Sequence, residues 1–164
     1  MRIVVLVAVT LAVQRALGWP GEPQWASLLL LPMVFLVGPA MLYHDRRWVH
    51  LAIALGLAWD IVLESVIGPG GIAWSAGALV IARLAGIVAD RSAKAWFTFG
   101  AVGAAIVTLA RRLALLLLGV SEAWRWTDLA LCVGLTAAWC ALVGWTLGLD
   151  LPTRWRRYRA RKLR

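Results

Sequence analysis

Apolar runs follow one another from end to end of this chain, parted only by short polar or glycine- and proline-rich breaks. A helix that crosses a bilayer needs roughly 20 mainly apolar residues. Six runs of that order stand out, at 3–18, 26–43, 48–67, 72–89, 95–118 and 128–149. Hydrophobic residues fill 62% of the 164 positions and the mean hydropathy is +0.80. No stretch between the runs is long enough to bury a core of its own. The sequence therefore predicts an all-α, polytopic membrane protein, with a six-transmembrane-helix bundle over 1–149 and a basic cytoplasmic tail over 150–164. Arg2 and the run after it look like the start of a secretory signal. Gln14 and Arg15 stand where a small-residue cleavage site belongs, so the run is expected to persist as a first helix. Pro32 and Pro39 inside the second run predict a kink.

The charges support this reading. Lys and Arg number 17 against 8 Asp and Glu, a formal charge of +9. In a soluble domain that surplus would raise the question of nucleic acid; here it flanks the apolar runs instead, and no nucleic-acid partner is expected. Arg2, Arg46, Arg47, Arg91 and Lys94 join the tail residues Arg154, Arg156, Arg157, Arg159, Arg161, Lys162 and Arg164 on one side of the predicted bundle, while the opposite loops hold only Arg125. Basic residues accumulate in cytoplasmic loops, so both termini are placed in the cytoplasm of a bacterial inner membrane. The tail becomes a contact for anionic lipid, each cation near the surface contributing about 1 kcal/mol. Most of the eleven tryptophans fit an aromatic belt, with Trp19, Trp25, Trp74, Trp124 and Trp126 at the outer edge and Trp48, Trp96, Trp145 and Trp155 at the inner one. Trp59 and Trp139 fall near mid-membrane and are expected to pack between helices.

Ionisable residues inside the runs are costly and call for a partner or a task. Asp60 and Glu64 lie four residues apart on one helix face. At 1.5 Å per residue, Asp60 lies roughly 12 Å from the outer end of its helix and Arg111 and Arg112 about 10–12 Å from theirs. Glu64 and Arg15 both lie about 5–6 Å down, and Arg83 is deeper, roughly 18 Å. Asp60 is thus expected to pair with Arg111 or Arg112, and Glu64 with Arg15, in an intramembrane charge network; a solvated, ligand-binding cavity is the functional alternative. Cys132 and Cys140 are separated by roughly 12 Å of helix rise, too far for a disulfide. No group of residues has metal-ligand spacing or the makings of a nucleophilic triad. Gly68-Pro69-Gly70-Gly71 lacks the lysine of a phosphate loop. The chain is expected to be no enzyme and to hold no cofactor. In the last run, Cys132, Thr136, Cys140, Gly144 and Gly148 recur every fourth residue. Such a stripe admits close helix approach, for internal packing or for a partner helix.

Gly56-Leu57-Ala58-Trp59-Asp60 followed by Gly68 resembles a motif of the bacterial rod shape-determining protein MreD family. The opening Pro23-Gln24-Trp25, the six apolar runs and the basic C-terminus fit the same family plan. The resemblance implies a fold similar to the substrate-binding subunits of energy-coupling-factor transporters. It also implies a non-enzymatic scaffold of the cell-elongation machinery that makes peptidoglycan and controls cell shape. Its partner would be the single-span protein MreC, and through it RodA, a class B penicillin-binding protein and MreB. The alternative reading is the substrate-binding subunit of a small-molecule, vitamin-type transporter. Reporter fusions at residue 164 and within 121–127 are expected to report cytoplasmic and external positions respectively; an external C-terminus would overturn the six-span topology.

Overall fold

A computed structural model describes residues 2–17, 28–43, 48–63, 66–87, 92–120 and 125–148. Among them the chain forms six α-helices and no strand: α1 (Arg2–Leu17), α2 (Val34–Tyr43, entered through a 3-10 turn at Leu31–Met33), α3 (Trp48–Leu63), α4 (Pro69–Ala85), α5 (Ala93–Leu117) and α6 (Trp126–Gly148). Two of these, α5 and α6, are long and apolar enough to cross a membrane, and the other helices are shorter and apolar. The outward faces are greasy as well. Val5, Leu6, Val9, Ile61, Ile72, Leu113, Leu116 and Leu142 are all largely exposed. Apolar patches of this extent on a soluble monomer would be an anomaly.

The helices start and stop for local reasons. Pro69 sits at the first helical position of α4, where a missing N–H costs nothing and its fixed φ suits the helix. The run expected to begin at 72 therefore starts at 69, and the glycine-proline segment forms its first turn. Ser92 caps α5, its hydroxyl accepting from the amide of Ala95 at 3.3 Å. The end of α5 is a Schellman motif: the Val120 amide reaches the Leu115 carbonyl, the Gly119 amide reaches that of Leu116, and Gly119 takes the left-handed φ of +75° that the motif requires. Thr10, Ser75 and Thr146 turn their hydroxyls back onto the backbone of their own helices, at Val7, Gly71 and Val143 respectively, so these three hydroxyls are paired locally.

Helices α3 to α6 pack in chain order, each against the next, with the most extensive contact between α5 and α6. The 3-10 turn and α2 lie at the centre of the bundle. Met33, Leu36, Val37 and Ala40 are all buried, as expected of a helix that is apolar all round. The second run is broken more sharply than the expected kink, because residues 29 and 30 leave the helical path just before Pro32. The freed backbone groups are taken up by side chains from other helices. The Leu30 amide donates to Thr136 Oγ1 at 3.1 Å, the Leu31 amide to Gln14 Oε1 at 3.2 Å, and the Leu31 carbonyl accepts from Trp139 Nε1 at 3.2 Å. Non-helical backbone among apolar helices is tolerated only where protein groups satisfy it. Mid-run Trp139 is thereby explained.

The small-residue stripe of α6 faces inward. A Cβ at Gly100 of α5 would come within 2.7 Å of Cys140 Cβ, and one at Gly144 would overlap the ring of Trp96. Cys140 and Gly144 are thus spent on the α5–α6 seam and corrected from a possible partner face to internal packing; Gly148 ends α6, and its surroundings lie outside the described residues. Two belt assignments change for the same reason. Trp96 is buried on Gly144, and Trp74, only 1% exposed, packs against Trp59, whereas Trp126 and Trp145 remain exposed as expected. Gly144→Leu should destabilise the protein by about 1–3 kcal/mol through overpacking, read as a lowered thermal unfolding midpoint in detergent. Gly134→Leu, at a position with open space, should leave that midpoint unchanged.

Candidate functional site

Asp60 occupies the last turn of α3, with its side chain wholly buried. Its carboxylate is received by the N-terminus of the next helix. Oδ2 accepts from the Gly68 amide at 2.7 Å, both oxygens accept from the Gly70 amide at 3.0 Å, and the Gly71 amide lies 3.4 Å from Oδ2. The first amides of a helix have no partner within it, and the helix dipole favours negative charge at that end. One carboxylate answers both conditions. The surrounding glycines make the approach feasible. A Cβ on Gly70 would overlap the Asp60 carboxylate, and one on Gly56 would come within 2.6 Å of the Gly70 carbonyl oxygen. Gly68 adopts φ +125°, a conformation that side chains disfavour. Gly56, Asp60 and Gly68 thus act together as a latch holding α3 against α4.

The latch replaces the expected ion pair of Asp60 with Arg111 or Arg112. Trp59, the neighbour of Asp60, and both arginines line one cleft. The carboxylate turns the other way because three amides, eight to eleven residues along the chain, are presented by a tight turn. Two long arginine side chains would have to be immobilised to match them. Arg15 donates from Nη1 to the Val62 carbonyl at 3.0 Å, at the end of α3. Glu64 and its expected pairing with Arg15 lie outside the described residues, as does the basic tail from Arg154 to Arg164. Arg83 is exposed in the last turn of α4, roughly 21 Å of helix rise from the latch, and so lies apart from Asp60.

The structure brings the remaining polar residues together in a cleft of about 150 Å³ where α3, α4, α5 and α6 meet, lined by Leu28, Leu30, Trp59, Trp74, Val107, Thr108, Arg111, Arg112, Asp128 and Cys132. The rings of Trp59 and Trp74 lie 5.6 Å apart, tilted by 45°, within the favourable range for aromatic pairs. Nε and Nη1 of Arg112 are shut off from the surroundings. Thr108 Oγ1 and Cys132 Sγ are 3.5 Å apart on the facing helices. Sequence reasoning missed Asp128. It stands in the first turn of α6, where an acidic residue reads as a helix-start signal, and only the packing of α6 on α5 turns it toward Arg111 and Arg112. No known protein family, curated protein or solved structure matches the chain.

If Asp60 serves α4 rather than the arginines, Asp60→Ala should destabilise the fold far more than Asp60→Asn, which keeps one carbonyl acceptor. Each stranded buried amide costs about 1–3 kcal/mol. Adding Arg111→Ala and Arg112→Ala to Asp60→Ala should bring no recovery in thermal stability. A clear rescue would restore the ion-pair account.

Proposed function

We propose that the chain is a multi-pass protein of a bacterial inner membrane, its six helices spanning the bilayer with both termini in the cytoplasm. We propose further that it works as a non-enzymatic, MreD-like scaffold for an MreC-like single-span partner. The apolar outward faces and the side-chain hydrogen bonds that take up the Leu30 and Leu31 backbone groups at the break support the membrane part. The observation that carries the scaffold part is the latch. An ionisable residue within a membrane helix is by default a functional one, often a proton relay or a ligand contact. Asp60 instead has its oxygens committed to the amides of Gly68, Gly70 and Gly71. Its task is to make α3 and α4 a rigid hairpin, and the three residues that carry the family resemblance all serve that task. A stiff bundle that presents fixed helix faces suits the holding of a partner.

The cleft at Arg111 and Arg112 is the observation that favours the second reading, a binding subunit for a vitamin-type small molecule. Its volume of about 150 Å³ sets that reading behind the first, because pockets for such ligands hold about 300–1,000 Å³. The full chain, tagged and extracted from native membranes, should recover an MreC-like protein together with RodA. Recovery of a tightly held small molecule and an ATPase partner in their place would overturn the scaffold reading in favour of the transporter subunit.

A further inference from the structure

On the outer surface of the bundle, α3 and α4 leave a groove of about 510 Å³ between them. Ile53 and Leu57 of α3 and Ile72 and Leu79 of α4 line its sides and are exposed, while Ser75 and Ala76 are half-buried at its floor. The described lining residues hold no open hydrogen-bonding group. The Ser75 hydroxyl donates to the Gly71 carbonyl, and the Gly68 and Gly71 amides are spent on Asp60. From Gly68 to Leu79 the groove follows α4 for about 16 Å, close to half of the ~30 Å hydrocarbon core and so to the depth of one leaflet. One turn past the lining, at the same end of both helices, the side chains become polar. Arg83 follows Leu79 by four residues and His50 precedes Ile53 by three, so each continues the helix face that lines the groove, and both are exposed. On the proposed topology this is the cytoplasmic end.

We propose that this groove holds one glycerophospholipid of the cytoplasmic leaflet, with an acyl chain along the groove and its phosphate at Arg83 and His50. The surface changes from apolar to basic in the order in which a lipid changes from chain to head. Guanidinium is matched in shape to the paired oxygens of phosphate, and basic side chains on the cytoplasmic side of membrane helices are suited to lipid head groups. A long arginine stem also lets the charge reach the head-group level from a turn within the helix. What matters at Arg83 is its exposure and its place on the groove face, not the net charge around it. A partner helix suits the groove less well. Helices approach closely in a bilayer over small residues, and here Gly71 is already covered, since a Cβ on it would lie 3.1 Å from Leu57 Cδ2. The ridges of Ile72 and Leu79 hold a second backbone away, whereas a thin, flexible acyl chain passes between them. The proposal rests on the membrane reading above, not on the identity of the protein partner.

The test uses the full-length protein in a non-ionic detergent, with dipalmitoyl phosphatidylglycerol as the probe and retained lipid read by native mass spectrometry. The unaltered chain should retain one lipid. A76F, which fills the floor of the groove, should abolish retention, and R83Q should lower it by about tenfold, as the loss of charged hydrogen bonds implies. Arg83 is exposed, so R83Q tests the site should A76F fail to fold. A138F puts the same ring at an exposed position of α6 and should leave retention unchanged. The basic tail is itself expected to touch anionic lipid, so a chain with its seven tail cations replaced by glutamine is measured in parallel and should keep the groove lipid. Unchanged retention in R83Q or in folded A76F, equal loss in A138F, or loss in the tail variant would each overturn the proposal. Self-association, or capture of an MreC-like protein, that A76F abolishes while lipid retention stays would assign the groove to a second copy or to a partner helix and overturn the proposal as well. Recovery of the chain in the soluble fraction without detergent would overturn the membrane reading itself. Detergent-extracted protein that retains no phosphatidylglycerol would overturn the groove proposal alone.

Discussion

A backbone amide with no water beside it must find its partner inside the protein, and the arrangement of this bundle follows from that requirement. Helices meet it along their length but leave their first amides open, and any break in a helix opens more. Among the described residues, two such places lie deep among the apolar helices. At the start of α4 the amides of Gly68, Gly70 and Gly71 are taken by Asp60. At the break before α2 the Leu30 and Leu31 groups are taken by Thr136, Gln14 and Trp139. Both devices cost a polar side chain placed in an apolar interior, which is tolerable only when it is fully hydrogen-bonded. Both also tie together helices that the hydrophobic effect alone would leave free to slide. The latch fixes α3 on α4, and the break fixes α1 and α6 on the central segment.

Close packing does the rest. If the bundle lies in a bilayer, as proposed, its helices gain little from burying oil against oil, and association depends on how near the backbones can come. Gly56 meets Gly70 across the α3–α4 seam, and Gly100 with Cys140 and Gly144 with Trp96 set the α5–α6 seam. A large ring placed on a glycine fills the seam without a void, which explains why Trp96 lies inside rather than at an interface belt. The same seams bring Arg111, Arg112 and Asp128 to one cleft.

Much of this was legible in the residues. The number of helices and their approximate ends followed from the spacing of apolar runs, whereas Pro69, Ser92 and Gly119 set the ends that the structure shows. Such signals are local: a proline at a first turn or a glycine after a last turn acts within a few residues. The Gly56, Asp60 and Gly68 spacing stood out in the sequence as a motif, but not as the latch that its residues form.

Direction and partnership were not legible. Helix periodicity places a residue on a face but does not say what that face meets. Asp60 had guanidiniums and amides within reach at the same level, and only the tertiary arrangement, with a turn that aims three amides at one point, decided for the amides. The stripe of α6 was equally suited to a neighbour in the chain or to a foreign helix until the crossing with α5 brought Trp96 onto Gly144. Asp128 read as the start of a helix until that same crossing set it beside Arg111 and Arg112. The sequence by itself determined an apolar, helical chain with its charges at the ends of its helices and a few polar residues held within. Which of those polar residues satisfy backbone, and which remain to line a cleft, was decided by tertiary structure, because a hydrogen bond depends on distances of a few tenths of an ångström that no one-dimensional pattern encodes.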